Sequence, residues 1–194
     1  MRRKEQAEAS RAGLLEAARR CFTEQGYKAT TVSAILDRAG MARGALYHYF
    51  PGGKREIFAA VFEMVDEAFH DRRDALFALD SPLARIRAGI RLFLDLCVED
   101  DFARIILIDA PEIFPGQADR GSSYALLHAQ LKEATATGEV RAFQPEVMAA
   151  ALYGAVRRAG EVVISAPDRL QAADQAAHAL DVLLDGLAAK PPSP

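Results

Sequence analysis

Apolar residues return every three or four positions along almost the whole chain, and no stretch alternates apolar with polar for long enough to build a sheet. That periodicity predicts an all-α fold of about nine helices. Leu14, Leu15, Ala18, Cys21 and Phe22 line one face of a first helix over about Ser10 to Gln25, with Gly26 as its stop. Thr30 and Thr31 offer an N-cap for a short helix carrying Val32, Ile35 and Leu36, which ends at Ala39-Gly40. Another short helix follows from about Ala42 to Phe50, Pro51-Gly52-Gly53 breaks it, and Lys54 opens a long amphipathic helix. Ser81-Pro82 starts the next one, serine as cap and proline at the first helical position. Further helices are predicted over about Phe102 to Asp109, Ser122 to Thr137, Pro145 to Ser165 and Asp168 to Ala189, with Pro111 and Pro115-Gly116 bounding an irregular connection. The organisation read from these breaks is an N-terminal three-helix domain at 1–53, a larger helical domain at 54–190, and a disordered tail at 191–194.

Composition excludes several classes. The longest apolar runs, such as Ile105 to Ile108, fall far short of the roughly 18 to 20 residues that cross a bilayer, so no membrane partner is expected. Met1-Arg2-Arg3-Lys4 is followed by Glu5 and Glu8 where a secretory leader needs an apolar stretch, which points to the cytoplasm. Cys21 and Cys97 are too few for a disulfide scaffold and sit among apolar neighbours, as reduced packing residues do. The four histidines are scattered without ligand spacing for zinc, and Asp95, Glu99, Asp100 and Asp101 have no second acidic motif facing them and read as a solvated helix end. There is no Gly-rich phosphate loop and no nucleophile elbow, so neither a metal, a cofactor nor an enzymatic reaction is predicted.

The net charge of −3 conceals a division: residues 1–56 carry eleven Lys and Arg against six Asp and Glu, whereas the remainder is net acidic. Lysine and arginine neutralise phosphates and release counterions, so the first quarter is the part suited to a polyanion. Arg2, Arg3 and Lys4 allow two readings, a flexible arm that adds phosphate or minor-groove contacts or simply a disordered basic start.

Residues 31–50 place a helix, a glycine-bearing turn and a second helix within twenty residues, the spacing of a helix-turn-helix unit. Gly40 permits the sharp bend, and Val32, Ile35, Ala39, Met41 and Leu46 lock the pair onto the first helix. The opposite face of the second helix carries Ala42, Arg43, Gly44, Tyr47 and His48, small residues where a helix start meets a duplex and then donors that reach base edges or phosphates. Gly26-Tyr27-Lys28-Ala29-Thr30-Thr31-Val32, Ala39 through Phe50, and Lys54 together resemble the N-terminal DNA-binding domain of the TetR family of transcriptional regulators, over about residues 10–62. The resemblance implies that Thr31 and Ser33 contact the DNA backbone, that Ala42, Arg43, Gly44, Tyr47, His48 and Tyr49 form the recognition surface, and that Lys54 adds a phosphate contact. Tyr49 on its own residues reads equally as a core aromatic. Pro51-Gly52-Gly53 makes the approach to Lys54 one residue longer than the commoner family spacing.

The resemblance further implies a helical domain that binds a small effector and dimerises. Phe69, Phe93, Cys97, Ile105, Ile108, Phe114, Tyr124 and Tyr153 are the apolar candidates for a pocket, with solid core as the alternative for each. Asp109, His128, Arg157 and Glu161 are polar groups on or beside apolar stripes, the last two an i, i+4 pair that suits either a ligand or an ion pair. Small residues including Ala151 and Ala155, and the leucines Leu180, Leu183, Leu184 and Leu187, are the expected homodimer interface. The expectation is a homodimeric repressor on a palindromic double-stranded operator, released by a small apolar or amphipathic effector.

Overall fold

The computed structural model describes residues 2–115 and 122–189, and among these the predicted periodicity produces nine α-helices and no strand. They are α1 Arg2–Ala29, α2 Val32–Ala39, α3 Arg43–Tyr49, α4 Lys54–Asp74, α5 Pro82–Leu96, α6 Ala110–Ile113, α7 Ser122–Ala136, α8 Pro145–Ser165 and α9 Arg169–Leu187. The side chains of Arg2, Arg3 and Lys4 and the tail at 191–194 lie outside the described residues. The caps are those the sequence offers: Thr31, Ser81 and Asp168 accept from the backbone N–H three residues on, and Pro82 and Pro145 occupy first-turn positions.

Two compact units divide the chain elsewhere than at 53/54: one comprises Met1–Phe69 with Asp100–Ile113, the other His70–Glu99 with Phe114–Pro194. In the first, Leu14, Ala18 and Phe22 of α1, Ile35 of α2, Leu46 of α3 and Ile57, Phe58 and Val61 of α4 are buried together. Phe22, Tyr27 and Phe58 form an aromatic triangle, with centroids 5.1 Å apart for the two edge-on pairs with Phe58. In the second, Ile86, Ile90 and Leu94 of α5, Leu131 of α7, Leu152 and Val163 of α8, and Leu180 and Leu184 of α9 form the core.

The expected helix after Phe102 is wound differently. Residues Phe102–Asp109 follow a π-helical path, with the Ala110 N–H donating to the Ile105 carbonyl, and run directly into α6. Pro111 therefore lies inside a helical stretch instead of bounding an irregular one. A helical proline lacks its N–H and crowds the carbonyl four residues back, and the turn ahead of Pro111 is the π-wound one. Both ends of the segment are clamped to α1: Asp101 by Arg19 and Thr23, Asp109 by the Tyr27 N–H at 2.7 Å. Gly26, at φ 76°, breaks the α1 helix as expected, and a Cβ there would overlap the Arg104 guanidinium.

Candidate nucleic-acid interface

Gly40 closes α2 in the left-handed conformation, φ 64° and ψ 33°, and the Met41 N–H donates to the Leu36 carbonyl at 3.0 Å. This is the sharp turn that only a residue without a Cβ makes cheaply. It delivers α3 with Leu46 and the following Phe50 turned inward, 0% and 2% exposed. Since an α-helix rotates about 100° per residue, burying those positions sends the intervening ones outward. Ala42, Arg43, Gly44, Tyr47 and His48 are all exposed, with Tyr47 at 47%.

The exposed face is ordered by contacts of its own. Arg43 Nη2 donates to Ser33 Oγ at 3.1 Å, which joins the start of α3 to α2 and aligns two of the expected contact residues. Thr31 Oγ1 accepts from the Ala34 N–H at 3.1 Å, so its hydroxyl caps α2 while the residue stays exposed. His48 and Tyr49 meet edge-on with centroids 5.3 Å apart, and Tyr49 is half-buried, between its two sequence readings. Arg38 holds Glu24 through both carboxylate oxygens, at 2.8 and 2.6 Å, and ties α2 to α1.

Lys54 has partners inside its own chain. Its ammonium donates to the carbonyls of Tyr27 and Thr30, at 2.9 and 3.0 Å, and lies 4.3 Å from the centroid of the Tyr27 ring. It fastens the start of α4 to the α1–α2 turn, an internal tie. Thr30 is likewise internal: it is buried and donates to the carbonyls of Gly26 and Cys21, leaving the cap to Thr31.

The expected pocket residues are divided between the two units. Phe69, Ile105 and Ile108 belong to the first unit: Phe69 packs 5.7 Å from Phe102, Ile105 is fully buried and Ile108 is exposed. Cys97 and Phe93 are packing groups of the second unit. The Cys97 Sγ and the Phe93 ring cover Gly160 so closely that a Cβ there would stand 2.8 Å from the ring, and burial pushes the thiol up to about 12. Phe114 is half-buried. His128 Nε2 lies 3.6 Å from Glu146. Tyr124, Tyr153, Arg157 and Glu161 do come together, with Ala150, Gly154 and Arg158, around an open cavity of about 470 Å³ on α7 and α8. Glu161 accepts from Arg158 at 2.6 Å. Arg158 and Ala150 were missed, although both continue the i, i+4 ladder through Gly154.

Of the expected dimer residues, Ala151 and Leu183 are exposed, and Ala155 and Leu187 half-buried. Leu180 and Leu184 are core residues of their own chain, 3% and 0% exposed, which removes them from an interface. Val147, Val162, Leu170 and Val182 are exposed instead. Among the described residues no group of three or more His, Cys, Asp and Glu side chains is placed to hold a metal ion. Within the acidic stretch, Asp95 pairs with Arg91, Glu99 with Arg72 and Asp101 with Arg19. No helix among the described residues is long and apolar enough to cross a membrane.

Residues 14–61 match the family described as bacterial regulatory proteins, tetR family, and residues 83–187 match a tetracyclin repressor-like C-terminal domain. The chain is 36% identical over 83 residues to the HTH-type transcriptional regulator LmrA of Bacillus subtilis, a match covering 42% of this chain and 44% of that protein. The chain thus spans less than half the length of that relative. A TetR-family transcriptional regulator from Pectobacterium atrosepticum is similar in structure, with a TM-score of 0.80 and 29% identity over 96% of this chain and 98% of that one. So is SmeT, the repressor of the multidrug efflux pump SmeDEF of Stenotrophomonas maltophilia, with a TM-score of 0.76 and 28% identity over 92% and 90% of the two chains.

Proposed function

Because the chain belongs to the TetR family of transcriptional regulators, we propose that it acts in the cytoplasm as a homodimeric repressor that grips a palindromic operator and leaves it when a small apolar or amphipathic effector binds. The observation that carries this reading is the outward face of α3: Arg43, Tyr47 and His48 stand exposed because Leu46 and Phe50 are buried behind them. A basic first quarter supplies the non-specific attraction, and the donors of α3 supply the readout of base edges. Repression is favoured by the likeness to SmeT, a repressor.

The homodimer is supported by the apolar side chains that α8 and α9 leave exposed, Val147 and Val162 on one helix and Leu170, Val182 and Leu183 on the other. Two-fold symmetry sets two α3 helices about one DNA turn, ~34 to 36 Å, or a multiple of it apart, and so dictates a palindrome. An effector that prefers a dimer with another spacing empties the operator by population shift, and linkage requires effector and DNA to weaken each other's binding by one common factor. Selection of bound fragments from the source genome by the purified protein tests the reading. The expected product is a palindromic site whose binding weakens steeply with salt; no enrichment over random fragments at low ionic strength overturns it.

A further inference from the structure

Arg43 opens α3 with little on its own helix to order it. Ala42 before it offers no side-chain cap, and a Cβ at Gly44 after it would meet nothing within 4 Å. An unrestrained arginine is among the most mobile of side chains, and ordering it only at the moment of binding costs affinity. The restraint comes from α2. Arg43 Nη2 donates to Ser33 Oγ at 3.1 Å, and among the described residues the guanidinium has no carboxylate partner. Other cations of the first unit are neutralised: Glu16 holds Arg19 and Arg20, Glu112 holds Lys28, and Glu24 holds Arg38. A hydroxyl orders the guanidinium without cancelling it, so Arg43 keeps its charge for a polyanion. Its geometry is kept as well. The guanidinium is a planar fork of donors, and whichever Nη2 hydrogen Ser33 takes, the other still pairs with Nε–H or with an Nη1 hydrogen as a two-pronged edge. Thr31 already caps α2 at the Ala34 N–H, so the cap leaves the Ser33 hydroxyl to Arg43.

We propose that Ser33 is a positioning residue for Arg43, holding the guanidinium so that its free edge meets O6 and N7 of one guanine in each half of the operator. That paired contact is the commonest specific one an arginine makes in the major groove. The serine hydroxyl accepts from Arg43 and retains its own proton, which it donates to a phosphate. One oxygen thereby ties the register of the protein on the DNA backbone to the side chain that reads the base. The proposal rests on the regulator reading above and adds to it the base that is read and the residue that aims the reader.

The probes are the operator recovered by fragment selection and duplexes in which each base pair is exchanged in turn, symmetrically in both halves. They are titrated by anisotropy at one salt concentration against the full-length wild type, Ser33→Ala, Ser33→Thr, Arg43→Ala and the double variant of Ser33→Ala with Arg43→Ala. The readout is the ratio of affinities for the operator and for each exchanged duplex. Since both duplexes meet one preparation, a partly folded variant leaves that ratio unaltered. The wild type is expected to favour one guanine per half-site by about tenfold or more, and Arg43→Ala to abolish the preference. Ser33→Ala is expected to lower it by about threefold or more, with no further effect on the ratio once Arg43 is gone, and Ser33→Thr, which keeps the hydroxyl, to retain it. Ser33→Ala that weakens every duplex equally is a phosphate contact alone and overturns the positioning role. A loss in Ser33→Thr as large as in Ser33→Ala overturns the part given to the hydroxyl, and a guanine preference that survives Arg43→Ala overturns the reader. A wild type that enriches no fragment sinks the regulator reading and this pair with it; a wild type that holds its operator while Ser33→Ala keeps the full preference sinks the pair alone.

Discussion

Replacing Lys54 by methionine separates an internal tie from a phosphate contact. Methionine retains most of the aliphatic stem and removes the ammonium, so the packing against Tyr27 survives while two charge-assisted hydrogen bonds, at 2.9 and 3.0 Å, and the contact with the Tyr27 ring are lost. A hydrogen bond to a charged group contributes about 1.5–3 kcal/mol, and a partly exposed cation over a ring about 0.5–1 kcal/mol. Lys54 is only half-buried, which selects the low end of both ranges and gives a loss of about 3.5 kcal/mol. For a chain of this length each kcal/mol moves the melting temperature by about 2–4 °C, so Lys54→Met is expected to melt about 7–14 °C lower. The assay pairs calorimetry with operator titrations at several salt concentrations. A lysine on a phosphate adds about 0.9 to the magnitude of the slope of log K against log salt; an internal lysine adds nothing, and the variant's slope should equal that of the wild type. A melting temperature within about 1 °C of the wild type together with a slope shallower by about two, one lysine from each subunit, refutes the internal role and favours the phosphate contact.

Arg43→Ala and Tyr47→Phe should each weaken operator binding, by about tenfold for the arginine if it engages a base edge, with melting unchanged because both side chains are exposed; anisotropy titrations at fixed salt check this. Leu183→Glu should yield monomers in light scattering while folding normally, whereas Leu184→Ala, in the core, should cost about 2–5 kcal/mol in a denaturant titration; the reverse pattern contradicts the assignment of faces on α9. Hydrogen bonds from Arg19 and then Arg20 lower the Glu16 carboxyl to about 2 from an ordinary value of 4.5. Its contribution to stability is thus present above about pH 4.5 and is lost as pH falls toward about 2. Glu16→Gln should flatten that acid limb slightly, and less at high salt since the group is well exposed; an acid limb identical to that of the wild type counts against the assignment.

What the residues disclosed in advance is what local chemistry decides. Thr31, Gly40, Ser81 with Pro82, and Pro145 fix helix ends through their own hydrogen bonds, φ values or missing donors, and those ends are where the structure has them. The outward face of α3 was legible for the same reason: once Leu46 and Phe50 are core, helical rotation alone turns Arg43 and Tyr47 outward. The internal partners of Lys54 were not legible because an ammonium has no local preference among acceptors; only folding brings the Tyr27 and Thr30 carbonyls to it. The π-winding ahead of Pro111 was hidden likewise, since its register is held at both ends by α1 through contacts some eighty residues apart in sequence.

The leucines of α9 show how coarse a stripe is. Leu180 and Leu184 differ by about 40° around the helix and share the core, while Leu183 stands about 100° from Leu184 and faces out. Spacing of three and four makes all of them neighbours along the surface, yet which edge of so wide a stripe meets its own chain is settled by packing against α5 and α8. That same distinction governs α8, where Leu152 and Val163 turn inward and Gly154 and Arg158 turn out. A helix whose inner edge is already filled by its own subunit has only its outer edge to offer. On α8 that outer edge holds both a hollow bounded by tyrosine and arginine and the exposed valines Val147 and Val162. At about 100° per residue Gly154 and Arg158 stand within about 20° of Val147, so the hollow and the exposed valines share one strip of α8, and a substitution there is expected to act on both.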